Sequence, residues 1–333
     1  MKFKGLKTIF TVLLIAGSIG LAFAWGSWGH KHINRSAVFA LPASMQTFYY
    51  NHIDYITESA VVPDLRRPLL NDKNEAPRHY IDIEDFGKLP ISAFPKTTKE
   101  AYAKYDSAFL NKTGYLPWYI QNMTDKLTEA FRKKNKSEIL FLSGELAHYL
   151  GDAHMPLHTS SNYNGQLTNQ KGVHSLWEST LPQMFGEAYN LKTEPAKHID
   201  DITAETWRII AQSHSLVDTL LAAEKKVRDQ FNADNMYKKD SAGNTVMFYS
   251  SPVFSNEYAR LFHTALNGMV EQQMRLSIYD VASFWYTAWV NGGSPDLTLL
   301  DDPNLTKQNR KNYQRELKAW NKGKVLNLSI ERE

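Results

Sequence analysis

Ser137-Glu138-Ile139-Leu140-Phe141-Leu142-Ser143-Gly144-Glu145-Leu146-Ala147-His148-Tyr149-Leu150-Gly151-Asp152-Ala153-His154-Met155-Pro156-Leu157-His158 is the stretch from which the rest of this sequence can be read. Ile139, Leu140, Leu142, Leu146, Tyr149 and Leu150 recur at helical spacing and form an apolar stripe, with Ser137 and Glu138 opening the helix. His148 and Asp152 stand four residues apart, so they share one face, a turn apart, near the C-terminal end. An imidazole and a carboxylate so placed can share a metal ion. Pro156 interrupts the helix, and His158 follows six residues after Asp152.

Outward from this helix the chain keeps the same periodicity. Residues 116–135 place Trp118, Ile120, Met123, Leu127, Ala130 and Phe131 near one face. Residues 204–227 and 256–290 also read as helices, the last long enough to hold a kink. Residues 236–250 differ: short β-favouring runs flank Ser241-Ala242-Gly243-Asn244, which predicts a hairpin. Residues 294–333 are rich in Lys, Arg and Asn, carry few large apolar groups and read as a peripheral polar tail. No repeat or Gly/Ser- or Pro-rich linker is visible. The predicted fold is all-α: a single multi-helix domain over residues 25–293 with one small β-hairpin.

The first 24 residues stand apart. Lys2, Lys4 and Lys7 precede an apolar run centred on Thr11-Val12-Leu13-Leu14-Ile15-Ala16, and Ala22-Phe23-Ala24 carries small residues where signal peptidase reads them. Gly17 and Gly20 interrupt the run, which favours a cleaved leader over a span of ~20 apolar residues. The reading is an exported chain, periplasmic or secreted, with no stable membrane anchor and with Trp25 as its new N-terminus. The three lysines account for the whole net charge of +3, so the remainder is neutral. A neutral chain lacks the broad basic surface of a typical nucleic-acid binder, and any attraction for phosphate has to be local. With 43% hydrophobic and 22% charged residues the chain is not of the disordered or collagen-like class.

There is no cysteine, which excludes thiolate metal sites, Cys nucleophiles and redox pairs. A metal here has only imidazole, carboxylate and main-chain donors. His174-Ser175-Leu176-Trp177-Glu178 repeats the spacing of His148 and Asp152, and the intervening residues 159–172 form a polar, Asn/Gly-rich loop. One such pair is commonplace on a solvated helix face. Two of them flanking His158 within 31 residues point to a metal site, without saying how many ions it holds.

The segment His148–His158, taken with Trp25-Gly26-Ser27-Trp28-Gly29-His30, resembles the superfamily of zinc-dependent phospholipase C and the single-strand-specific zinc nucleases (nuclease/3′-nucleotidases of the S-one/P-one class). The likeness runs in order and spacing from Trp25 to about Trp289. It implies that superfamily's helical fold and three zinc ions per chain. One ion would take Asp64, His79, His148 and Asp152; a second the Trp25 amine and carbonyl, His30 and a bridging Asp152; the third His158, His174 and Glu178. Nitrogen and oxygen donors of this kind suit catalytic zinc. Three dications against three carboxylates would leave the site cationic inside a neutral protein, the local attraction a phosphodiester needs. By the same resemblance, metal-activated water attacks phosphorus, Asp64 orients it, and the third ion binds phosphate and stabilises the leaving alkoxide. Arg67 follows Asp64 in the Asp-x-x-Arg pattern of the nuclease branch and would grip phosphate.

Substrate-facing residues separate the two branches. His79-Tyr80-Ile81-Asp82 resembles the nuclease pattern, with Tyr80 stacking on a base and Asp82 accepting its hydrogen bonds. Trp177 with Glu178-Ser179-Thr180-Leu181-Pro182 is also nuclease-like. Two features pull toward the phospholipase: Glu178 stands where nucleases carry Asp, and Val61-Val62-Pro63 lacks the usual Ala-Asp context. The resulting expectation is an exported zinc-dependent hydrolase of single-stranded nucleic acid and 3′-nucleotides. The alternatives are a phospholipase C acting on phospholipid and a catalytically silent zinc-binding protein. No protein partner is implied. His32 reads as surface of the first helix, His154 as lying behind the ligands or in solvent, and Glu145, three residues before His148, as a solvated helix face or a support for a ligand's hydrogen bond.

Overall fold

The computed structural model describes residues 26–87, 90–248, 251–324 and 328, and helices carry most of them. The expected leader and Trp25 lie outside the described residues. Helix α1 (Gly26–Ala40) is followed by α2 (Ala43–Asn51), α3 (Ile53–Ser59) and α4 (Val62–Leu70). After an irregular stretch come α5 (Thr98–Lys104), α6 (Ser107–Thr113), α7 (Leu116–Arg132) and α8 (Lys136–Ala153). Two short segments, α9 (Val173–Ser175) and α10 (Leu181–Phe185), precede α11 (Ile202–Ser215) and α12 (Val217–Gln230). The chain closes with α13 (Asn256–Ala265), α14 (Met269–Asn291) and α15 (Lys307–Asn321).

The apolar stripes explain the packing. All six residues expected on the inner face of α7 are buried, as are Ile139, Leu140, Leu146, Tyr149 and Leu150 of α8. Removing each such large side chain from water is worth ~1.5–3 kcal/mol. From Ser143 onward α8 is enclosed on every side, so its polar residues there must find partners inside the protein. Helix α14 lies beside it in the core, where Trp285 stacks on Tyr49 at 4.9 Å and donates its Nε1 hydrogen to the Ser143 carbonyl. Gly144 lets α3 and α8 approach closely, because a Cβ there would fall 2.8 Å from that of Ser59. The approach brings the Ala60 carbonyl to His148.

Several boundaries depart from the sequence reading. Helix α8 begins at Lys136, because the Asn135 side chain caps the Glu138 amide. The helix expected over 204–227 breaks at Leu216, where the chain tightens into an i−3 hydrogen bond to Ser213 without any Gly or Pro to announce it. The kink anticipated in 256–290 is a full break, with Asn267 and Gly268 both at positive φ. Strand content among the described residues is minimal. Met247–Phe248 pairs with Ser251–Pro252, and the expected hairpin around Ser241–Asn244 is reduced to a turn closed by an isolated Lys239–Thr245 bridge. Within 294–333, read as a polar tail, α15 docks on α1 and α2 and buries Trp320.

Candidate metal centre

Local structure sets each donor. Asp64 sits in the first turn of α4, after Pro63. His79 ends a 3-10 turn over Ala76–Arg78. His148 and Asp152 project from the last turns of α8, and His158 lies in the 3-10 turn Pro156–Thr159. His174 lies in α9 and Glu178 in the following π-turn, Leu176–Thr180, a geometry that recurs at functional sites.

These donors converge in three groups: His30, His148 and Asp152; Asp64, His79 and His148; and His158, His174 and Glu178. In each group, donor atoms of all three residues lie within 4.8 Å of one another. Asp152 joins them. Its Oδ1 lies 3.5 Å from His30 Nε2 and 3.6 Å from His158 Nδ1, while its Oδ2 lies 2.9 Å from His79 Nδ1 and 3.3 Å from His148 Nε2. His30 stacks on His148 at 4.0 Å between ring centres. His148 thus faces two groups where the sequence reading assigned it to one. Trp25 falls outside the described residues, one position before α1.

The titration behaviour follows from enclosing imidazoles and carboxylates together. Burial resists charge on His79, but Asp152, Glu75 and Asp64 outweigh it and raise the imidazole to about 10. Burial likewise opposes the upward shifts of His148, next to Asp152 and Asp64, and of His174, next to Glu178. Burial and neighbouring His148 lower His30 to about 4. Burial raises Asp64, whereas Asp152 is held well below the usual range because His148 and His158 outweigh its own burial. Imidazolium protons balance the buried carboxylates where divalent ions would otherwise do so.

The donor set fits such ions. Both ring nitrogens of His30, Asp152 Oδ1 and Asp64 Oδ2 are buried and make no hydrogen bond among the described residues. Buried polar atoms without partners are rare, and here they converge on shared space. Three imidazoles are further aligned by main-chain acceptors. His148 Nδ1 donates to Ala60 O at 2.8 Å, His158 Nδ1 to His79 O at 2.7 Å and His174 Nδ1 to Tyr163 O at 2.9 Å. Fixing the outer nitrogen aims the other at the metal position.

Residues 25–279 match the model of the S1/P1 nuclease family. This chain belongs to the S1/P1 nuclease family. It is also 25% identical over 200 residues to Nuclease S1 of Aspergillus oryzae (strain ATCC 42149 / RIB 40), covering 56% of this chain and 63% of that protein. A second similarity, at 23% over 293 residues, is to a probable serine protease of Bradyrhizobium tropiciagri, covering 72% of this chain and 34% of that longer protein. The chain thus spans less than two thirds of either relative's length. The family match of this S1/P1 member contains every donor named above and stops inside α14, before α15.

Around the clusters, Tyr80 is half-buried, and its hydroxyl donates to Lys112 O at 3.1 Å. Gly114, at φ +80°, gives the ring room: a Cβ there would meet Tyr80 Cδ2 at 2.6 Å. Burial, with Asp85 and Glu84 nearby, raises Asp82 to about 7. Arg67 lies three residues after Asp64 on α4, and its side chain lies outside the described residues.

Three polar residues of this S1/P1-family chain are buried, which rules out the solvent-facing readings of them. His32 is buried, stacked on Trp28 at 3.8 Å with Nδ1 donating to the Trp28 carbonyl, because α1 is covered on nearly every side. His154 is buried with Nε2 2.9 Å from Asp280 Oδ2 of α14. Glu145 is buried against Arg66. Glu75 was missed altogether: its carboxylate meets His79 Nε2 at 3.2 Å, at the same four-residue spacing that marked the other pairs.

Proposed function

We propose that this chain is an exported, zinc-dependent phosphodiesterase that hydrolyses single-stranded nucleic acid and 3′-nucleotides. The observation that carries the reading is the meeting, within the family-matched span, of three His/carboxylate groups in which both His30 ring nitrogens, Asp64 Oδ2 and Asp152 Oδ1 are buried with no hydrogen bond among the described residues. Zinc is the ion such nitrogen and oxygen donors suit. Asp64, His79 and His148 would hold one ion with Asp152. His30, Asp152 and the Trp25 amine and carbonyl would hold a second, and His158, His174 and Glu178 a third. When bound, zinc supplies Lewis acidity and brings water from pKa ~15.7 to roughly 7.

The chain's own groups do the rest. Asp64 Oδ2, which makes no hydrogen bond among the described residues, is available to accept a hydrogen from the attacking water and orient it toward phosphorus. Arg67, one turn along α4, would neutralise a phosphate oxygen. Tyr80, tethered through its hydroxyl, would offer its ring to a base, and Asp82 in its ionised form would accept from that base's amino or imino hydrogens. Stacking tolerates any base, which suits a substrate read by strandedness more than by sequence.

The deciding experiment incubates zinc-loaded protein beginning at Trp25 with single-stranded DNA, single-stranded RNA, duplex DNA and phosphatidylcholine. Cleavage of the single strands with little action on duplex or lipid is expected. Lipid cleavage with inert nucleic acid would replace this reading by the phospholipase one, and full zinc occupancy without any turnover would favour a silent zinc-binding protein.

A further inference from the structure

The imidazoles around the clusters are not oriented alike. His148, His158 and His174 each turn Nδ1 to a main-chain carbonyl, which only accepts, so each Nδ1 carries hydrogen and each Nε2 is left to face a cation. His79 is reversed. Its Nε2 points to Glu75 Oε1 at 3.2 Å, and its Nδ1 lies 3.0 Å from His148 Nε2 and 2.9 Å from Asp152 Oδ2. Its ring is therefore held by a side chain, where the other three are held by the backbone.

Glu75 is fully buried at the start of the turn that carries His79. A buried carboxylate persists as an anion only with strong donors around it. Here Oε2 accepts from Arg78 Nη1 at 2.7 Å and Arg66 Nη1 at 3.3 Å, while the Tyr149 hydroxyl donates to Oε1. Arg66 is itself braced by Glu145, and the Arg78 guanidinium lies over the Tyr119 ring at 5.0 Å. None of Arg66, Arg78, Glu145 or Tyr149 is a member of the three donor groups.

We propose that Glu75 is a positioning residue, which holds His79 with Nε2–H turned outward and Nδ1 turned into the Asp64/His148 group. Occupancy of that group then depends on a network of half-buried Arg66 and Arg78 with buried Tyr149 and Glu145, none of which is a member of the donor groups. The inference rests on reading the donor groups as cation sites and on no assumption about substrate. It also separates two duties of one residue: the His79 main chain serves His158 in the third group, while its side chain serves the first.

The test strips the full chain of metal and titrates it with Zn²⁺ alone against a competing chelator. Glu75→Gln keeps the shape and removes the charge. It is expected to weaken one ion by ~10–100-fold and leave the others within twofold. Nitrogen-15 NMR of the zinc-loaded, unsubstituted chain reads the same claim without a variant: His79 should show metal at Nδ1 and hydrogen at Nε2, the reverse of His148, His158 and His174. Metal at Nε2 of His79, or unchanged zinc affinity in folded E75Q, would overturn the proposal. An unsubstituted chain that binds no zinc would overturn it together with the reading of the clusters. Neither measurement involves nucleic acid, so inactivity toward that substrate would not touch the result.

Discussion

Arg35 in the first helix and Glu316 in the last are joined by two hydrogen bonds, of 3.1 Å from Nε and 2.7 Å from Nη2, across 281 residues of sequence. The guanidinium is buried and also reaches Thr57 at 3.3 Å. The pair ties α15, which lies past the family-matched span, to the helix that carries His30.

Glu316→Ala leaves that guanidinium enclosed without its main partner. The expected cost is ~3–5 kcal/mol of folding stability, read as a lowered urea midpoint with an unchanged slope. Replacing both residues by leucine should cost clearly less, because no uncompensated charge then remains. Equal losses in the single and double variants would count against the pair's assigned weight.

Zinc should stabilise the chain and release protons as it binds. At ~1,000 times the dissociation constant, one ion adds ~4 kcal/mol to unfolding. The His79 imidazolium titrates at about 10, above its unfolded value of ~6.5. In the ion-free chain its stabilising share is therefore complete below ~6.5 and lost as pH rises through about 10. Zinc has to displace this proton, so apparent affinity should climb with pH across that window. Calorimetry in buffers of different ionisation enthalpy measures the release, and a buffer-independent heat would contradict it.

Asp82 gives a second pH effect, one that lowers stability and favours substrate as pH rises. Burial, Asp85 and Glu84 raise its carboxyl to about 7, so the folded chain holds a proton that the unfolded chain, at ~3.9, has already lost. Its contribution to stability accordingly falls as pH rises from about 4 to 7. The ionised form is the one that accepts from a base, so KM for single-stranded DNA should rise as pH drops below 7. Loss of a charged acceptor is worth ~1.5–3 kcal/mol, about 10–100-fold in KM. In Asp82→Asn, KM should be raised and flat between pH 6 and 8.

Gly114→Ala tests the seat of Tyr80. The position has φ +80°, and the new methyl would crowd the Tyr80 ring and carbonyl. Strain and overpacking together should cost ~1–3 kcal/mol of stability. If Tyr80 stacks on a base, KM should rise more than kcat falls. A variant with normal KM would remove Tyr80 from substrate binding.

Helical periodicity was legible because α7 buries one stripe and the large apolar residues of α8 recur at helical spacing, and the His148/Asp152 and His174/Glu178 spacings were legible because both are one-turn pairs. The break at Leu216 was not, since no local residue type announces it. Nor were Glu145 and His154 readable as buried. Each is compatible with a solvated helix position until a second element, carrying Arg66 or Asp280, closes over it.

What the sequence determined by itself is whatever depends on neighbours within a turn: the helices, the one-turn ligand pairs and the absence of thiolate chemistry. Tertiary structure alone decided which groups share a space: Asp152 among four imidazoles, Glu75 between two guanidiniums, and Arg35 against Glu316. The physical reason is range. Backbone sterics and side-chain periodicity act over three or four residues, whereas the partner of a buried charge is chosen by whichever helix packs against it, and that choice is a property of the assembled core.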